Sequence, residues 1–169
     1  MTDEVLYFAY GSNMSTQRIR ARIPARLVGT AKLTKHCLTF EKPARDGSGK
    51  CDVAYTGDAN HVLWGVVYGI SQQDLPILDT YESLGVGYDR KTITVTLNCG
   101  TPCATEIYIA RDNNPNVLPF CWYKQHVQYG AEENNLPTDY IQNMIASVPV
   151  INDPDDKRRA KEIAIYSDL

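Results

Sequence analysis

Apolar and aromatic residues run almost unbroken from Val5 to Tyr10 and predict a strand close to the N-terminus. Gly11 stops it, because glycine reaches backbone conformations closed to other residues and lets the chain approach a ligand closely. Ser12 and Asn13 offer side-chain hydrogen bonds and a helix N-cap. Ile19 and Ile23 then recur at helical spacing, with arginines on the other faces. Residues 26–42 read as extended, with Leu27, Leu33, Leu38 and Phe40 as their apolar points. Asp46-Gly47-Ser48-Gly49 is turn composition, and residues 51–57 alternate as a second hairpin arm. The near-continuous apolar run from His61 to Ile70 predicts a central strand buried on both faces.

Ser71 is placed to cap a helix carrying Leu75 and Leu78, with Pro76 tolerable in its first turn and the pattern continuing to Leu84. Two β-rich arms follow, Arg90–Leu97 in strict alternation and Ala104–Ala110, joined by a turn at Gly100-Thr101-Pro102. A loop with Pro115 and Pro119 leads to a predicted helix from about Phe120 to Glu133. Pro137 and Thr138 open another, with Tyr140, Met144 and Val148 on its apolar side. Strands dominate, helices are inserted singly, and no βαβ alternation occurs. This predicts an α+β fold with a closed or strongly curved mixed sheet. No repeat or linker divides the chain, so residues 1–169 read as one domain, with 150–169 as a C-terminal helical extension.

Composition narrows the function classes. The chain carries a net charge of −3, which argues against a nucleic-acid footprint. Lys157-Arg158-Arg159 follows Asp153, Asp155 and Asp156 and reads as a solvated helix start. No apolar segment approaches spanning length, and Met-Thr-Asp-Glu lacks a basic leader. Five cysteines, an odd number, fit free thiols in a reducing cytoplasm better than a disulfide framework. Cys99 and Cys103 could face each other across their turn, but no further ligands sit nearby for zinc, so no metal is expected. Eleven tyrosines against three phenylalanines supply polar-tipped aromatics suited to a pocket or to half-buried strands.

Several catalytic signatures are missing. Ser12 does not sit in a Gly-x-Ser-x-Gly elbow, and there is no His-Glu-x-x-His. Gly47-Ser48-Gly49-Lys50 imitates part of a phosphate loop but reads as a hairpin turn, because position 44 is Ala and position 51 is Cys. His36, His61 and His126 read as surface or strand residues. Tyr10-Gly11-Ser12-Asn13 is either plain turn chemistry or a strand–turn–helix junction aiming backbone N–H groups at an anion or a carbonyl oxygen. Glu82 has two readings also. It is a solvated helix residue, or it is an inward carboxyl with a raised pKa. If the side chain points inward, three features would raise its pKa: the nearby helix C-terminus, the flanking Leu78 and Leu84, and no Lys or Arg within six residues. Asp79, one turn earlier, would add like-charge repulsion.

Together these two motifs resemble the γ-glutamylcyclotransferase family, whose mark is an N-terminal strand ending in Tyr-Gly-Ser-Asn and one essential Glu. The likeness continues through Leu63-Trp64-Gly65-Val66-Val67-Tyr68, Gly87-Tyr88, Tyr123-Lys124 and Gly130 to Pro137, running on to Tyr140. It covers about residues 5–150, whereas residues 26–60 and 98–119 match little and the tail after Val150 is unlike the animal enzymes. Tyr81 beside Glu82 is closer to the AIG2-like branch.

The resemblance implies a small mixed β-barrel with peripheral helices. It also implies a cofactor-independent, cytoplasmic enzyme, monomeric or homodimeric, that takes a small γ-glutamyl compound and acts without nucleic acid or membrane. In that chemistry the substrate α-amine attacks its own γ-carbonyl, releasing 5-oxoproline and an amino acid or amine. Glu82 would be the catalytic acid and base, and backbone N–H groups at Gly11 to Asn13 would hold the oxyanion. Tyr10 belongs to the same substrate-binding motif, and Tyr88 and Tyr123 would set hydroxyls near the substrate α-carboxylate or Glu82. Two alternatives stand beside this reading. One is a cyclotransferase for γ-glutamyl amines or biosynthetic intermediates. The other is a non-catalytic metabolite-binding module on the same barrel, which would need no carboxylate at position 82.

Overall fold

A computed structural model describes residues 3–168. The predicted first strand is β1 (Glu4–Ala9), followed by a tight 3-10 turn at Ser12–Met14 and a short helix α1 (Thr16–Arg20). The extended stretch divides at Lys35, which has a positive φ of 64°, into β2 (Arg26–Thr34) and β3 (His36–Pro43). Then come β4 (Gly49–Tyr55), β5 (Val62–Ser71), α2 (Leu75–Tyr81), β6 (Tyr88–Leu97) and β7 (Pro102–Ala110). Helix α3 (Cys121–Glu133) precedes a single turn α4 (Thr138–Tyr140), which widens into a π-type turn over Ile141–Ala146, and α5 (Asp156–Ala164) lies in the C-terminal segment.

Five strands close into a barrel in the order β1-β5-β2-β6-β7, and β3 and β4 form a separate hairpin sheet. Strand β5 pairs antiparallel with both β1 and β2, the central position that its unbroken apolar run predicts. Gly65 through Ile70 are buried without interruption because one face fills the barrel and the other lies under helices. The barrel shuts where β7 meets β1 in parallel at Tyr7 and Glu106, so the sheet is mixed, as expected. Phe8, Leu63, Val67 and Ile107 are fully enclosed in the core.

Helix α3 fixes the turn that follows β1. A Cβ at Gly130 would lie 2.3 Å from the Ser15 nitrogen, so only glycine lets α3 press this closely on the turn. Asn134 at the end of α3 and Tyr68 from β5 both donate to the Met14 carbonyl, at 3.2 and 2.7 Å. Glu133 accepts from the Thr16 N–H at 2.6 Å.

Three local expectations change. The cap of α1 is Ser15, whose Oγ accepts from the Arg18 N–H, because Ser12 and Asn13 are themselves inside the 3-10 turn. Ser71 makes a local turn with the Gln73 N–H instead of capping α2, which starts from Asp74. His126 is neither a surface nor a strand residue. It is 1% exposed on the inner face of α3.

The cysteines are all free; Cys99 is exposed in the β6–β7 turn, whereas Cys103 pairs in register with Val95. Arg158 is more than a solvated helix start, since it clamps the buried Asp153 and covers the Phe120 ring. No helix among the described residues is long and apolar enough to cross a membrane.

Candidate active site

The Tyr10–Asn13 segment leaves β1 at the rim of the barrel. Gly11 has φ −115°, outside the left-handed region, and its place is accounted for by space. An added Cβ would stand 2.9 Å from Cys51 Cβ and 3.5 Å from the Tyr123 hydroxyl. The Met14 and Ser15 N–H groups turn back to the Gly11 and Ser12 carbonyls. Among the described residues, the N–H groups of Gly11, Ser12 and Asn13 have no acceptor. The turn therefore carries a row of unused donors.

Glu82 arrives from the opposite side as the C-cap of α2. Ser83 takes φ 51°, its N–H bonds to the Thr80 carbonyl, and the Leu84 N–H bonds to Asp79. These two bonds form a Schellman close, with serine in the left-handed position that usually holds glycine. It stops the helix at Glu82 and turns that side chain inward, leaving 15% of it exposed.

Asn13 joins the two motifs. Its Nδ2 donates to Glu82 Oε1 at 3.0 Å and to the Tyr7 hydroxyl at 3.1 Å, while its Oδ1 accepts from Arg22 at 3.1 Å. Burial pushes the Glu82 carboxyl above its ordinary pKa, against the pull of Arg22, Arg18 and the Asn13 bond. Arg22 stands 3.6 Å from Oε1 and packs over the Tyr81 ring. Asp79 is compensated instead, paired with Arg90 at 2.6 Å and accepting from Tyr108 at 2.7 Å.

All seven residues singled out by motif converge. Tyr10, Gly11, Ser12, Asn13, Glu82, Tyr88 and Tyr123 line one inner chamber of about 40 Å³, together with Tyr7, Cys51 and Tyr108. Tyr88 donates to the Cys51 carbonyl at 2.7 Å, and the Tyr123 hydroxyl accepts from the Cys51 N–H at 2.9 Å. One backbone unit therefore positions both rings. The Tyr123 proton stays available to a ligand, and the Tyr88 oxygen can still accept. The Tyr10 hydroxyl donates to the Tyr108 carbonyl at 2.5 Å.

Ser12, Glu82, Tyr88 and Tyr123 also line an outer cavity of about 420 Å³. Its wall carries Arg18, Arg22, Lys42, Arg45 and Lys50 against Asp46, Glu82 and Asp112, an excess of cations. Lys50 is paired with Asp46 at 3.1 Å and covers the Trp122 and Tyr123 rings. Lys42 lies over the Tyr88 ring at 5.1 Å and makes no ion pair among the described residues. Burial draws its pKa down while Glu82 holds it up. Arg18 and Arg22, four apart just after Tyr-Gly-Ser-Asn, carried a readable signal as one helix stripe. Lys42 and Lys50 carried none, since only the fold brings the β3–β4 hairpin over the barrel mouth.

No cluster of three or more potential metal ligands occurs among the described residues.

The closed barrel with its peripheral helices is the fold to which the comparisons point. Residues 62–144 match the AIG2-like family. Gamma-glutamylcyclotransferase of Bos taurus is 31% identical over 156 residues, covering 87% of this chain and 80% of that protein. The Homo sapiens gamma-glutamylcyclotransferase is 31% identical over 153 residues, with coverage of 87% and 80%. A solved structure of a gamma-glutamyl cyclotransferase has a TM-score of 0.84 at 24% identity, over 95% of this chain and 98% of that one. The chain belongs to the γ-glutamylcyclotransferase family of enzymes.

Proposed function

We propose that this enzyme converts a γ-glutamyl amino acid to 5-oxoproline and the free amino acid, with Glu82 moving the proton. The observation that carries the reading is the contact between Asn13 and Glu82, which sets one part-buried carboxyl beside the unused N–H donors of the Gly11–Asn13 turn. Folding the substrate so that its amine meets its own γ-carbonyl makes the reaction intramolecular, and holding that conformer supplies much of the acceleration. The Glu82 carboxylate takes a proton from the α-ammonium, and the freed amine adds to the γ-carbonyl. The turn N–H groups, with the Tyr123 hydroxyl, stabilise the resulting oxyanion. Glu82 then returns its proton to the leaving nitrogen, the carbon–nitrogen bond breaks, the ring nitrogen passes its second proton through Glu82 to the departing amine, and no water is consumed. Burial raises the Glu82 pKa, which strengthens it as the base that takes the ammonium proton.

The cationic outer wall supports an amino acid over an amine as leaving group. Lys42 has no carboxylate partner among the described residues, and a leaving group with its own carboxylate would supply one. An amine bearing a second positive charge would meet repulsion there. The part-buried carboxyl also weighs against a binding module without catalysis, because its desolvation outweighs the contacts with Arg22 and Asn13 and a binding module would need no such group. The five free thiols support a reducing, cytoplasmic setting.

Measuring 5-oxoproline release from γ-glutamyl-alanine, glutathione and γ-glutamyl-lysine tests the reading. Turnover of γ-glutamyl-alanine should exceed that of γ-glutamyl-lysine linked through its side-chain amine. No release from any of the three would overturn the assignment.

A further inference from the structure

The C-terminal segment reaches the candidate site through Arg18. This side chain is buried, with 8% exposure, yet it lines the outer cavity beside Ser12, Glu82 and Tyr123. Its Nε donates to Ser12 Oγ at 3.0 Å and its Nη1 donates to Glu162 at 2.5 Å. The third nitrogen, Nη2, has no partner among the described residues. A guanidinium is a planar fork of donors, so fixing two of its nitrogens fixes the direction of the third. Burying such a cation is costly unless its donors are used. The two contacts leave one set of donors open beside the candidate chemistry.

The lock on Arg18 comes from α5. Glu162 Oε2 is shared between Arg18 and His126 Nε2, the latter at 3.0 Å. On its other side, His126 Nδ1 lies 2.7 Å from the Tyr166 hydroxyl, which reaches Ser15 Oγ at 3.0 Å. Ser15 caps α1, the helix that bears Arg18. The contacts form a closed circuit from α5 through α3 to α1, and one side of it faces the cavity.

We propose that Arg18 binds a carboxylate of the substrate through Nη2, and that Glu162 is the positioning residue that aims it. The identity of the ligand rests on the γ-glutamyl reading; the built anion site rests on geometry alone. Two carboxylates fit the chemistry, the one on the glutamyl α-carbon and the one on the leaving amino acid.

The test uses the full chain and two ligands. γ-Glutamyl-alanine carries both carboxylates, and γ-glutamyl-ethylamide carries only the first. Turnover is read as 5-oxoproline release, and affinity by calorimetry in the Glu82→Gln background. Arg18→Met and Glu162→Gln should each raise KM and Kd by about tenfold, the scale of one charge-assisted contact, with a smaller change in kcat. Equal weakening for the two ligands assigns the contact to the glutamyl carboxylate. Weakening of γ-glutamyl-alanine alone assigns it to the leaving group. Glu162→Asp should restore part of the affinity and keeps the test valid if Glu162→Gln folds poorly. Unchanged Kd for both ligands in Arg18→Met and Glu162→Gln overturns the proposal, as does a kcat loss at constant KM. If the wild-type protein releases no 5-oxoproline, the γ-glutamyl reading has failed, and the Kd comparison still decides the Arg18 contact.

Discussion

Glu82 is held between opposing forces, and its protonation follows from which is larger. Enclosure favours the neutral acid, whereas Arg22, Arg18 and the Asn13 amide favour the carboxylate; burial prevails and the pKa rises. A carboxyl with a folded-state pKa above its unfolded one adds stability below the ordinary value near 4.5 and loses it as pH rises through the folded value. Glu82→Gln should therefore lower kcat by roughly 10²–10⁴-fold, the usual worth of a positioned proton transfer. Its melting temperature at neutral pH should equal or exceed that of the wild-type protein, and the gap should close in acid. Retained turnover would remove Glu82 from the chemistry. Leu78 and Leu84 left both an inward and a solvated Glu82 open, and the arginines opposing burial were not readable at all, because they approach from another helix.

At the scale of elements, the close packing of α3 on the 3-10 turn carries the site's geometry. A methyl group at position 130 would meet the Ser15 nitrogen at 2.3 Å and the Met14 carbonyl carbon at 2.5 Å, both backbone atoms that cannot swing away. Gly130→Ala should cost about 1–3 kcal/mol in chemical denaturation, the range for overpacking a tight contact. It should also lower kcat/KM, because the displaced turn carries Ser12 and Asn13.

The α5 attachment has its own signature in acid. Burial pushes the Glu162 carboxyl up, but His126 and Arg18 pull it down to about 2. A lowered carboxylate pKa gives stability that is present above about 4.5 and is lost as pH falls toward about 2. His126, whose pKa burial draws below 6.5, adds loss on the same acid side as it is forced to take a proton. Denaturation measured across that window should fall less steeply for Glu162→Gln than for the wild-type protein. Equal slopes would show that the ion pair does not couple α5 to the fold.

For the whole molecule, the proposed chemistry needs a shaped chamber and one proton carrier. Turnover should be unaffected by EDTA and by reductant, and Cys103→Ser should alter it little, since Cys103 pairs with Val95 outside the chamber. A loss on chelation that zinc restores would reveal ligands outside the present reading. Exposed Tyr81 and Val86 stand at the mouth of the outer cavity, so the entrance pairs apolar surface with cations.

What the chain determines by itself is whatever depends on neighbours in sequence. The alternation of β6 and β7, the unbroken run of β5, the period of α3 and the glycine turn after β1 are local patterns, and each became the predicted element. Taken alone, the Tyr-Gly-Ser-Asn turn and Glu82 each allowed a plain structural reading, and the resemblance of the two motifs together singled them out. Tertiary structure alone decided their electrostatics. Arg22 opposes Glu82 across sixty residues of chain, Lys42 and Lys50 arrive on a hairpin with no matching motif, and Glu162 comes from the tail to hold Arg18. Coulombic and desolvation energies depend on distance and burial, which a linear pattern does not contain. The divided extended segment shows the same limit on a smaller scale. Lys35 turns at a positive φ with no glycine to announce it, so one predicted stretch became two strands in different sheets.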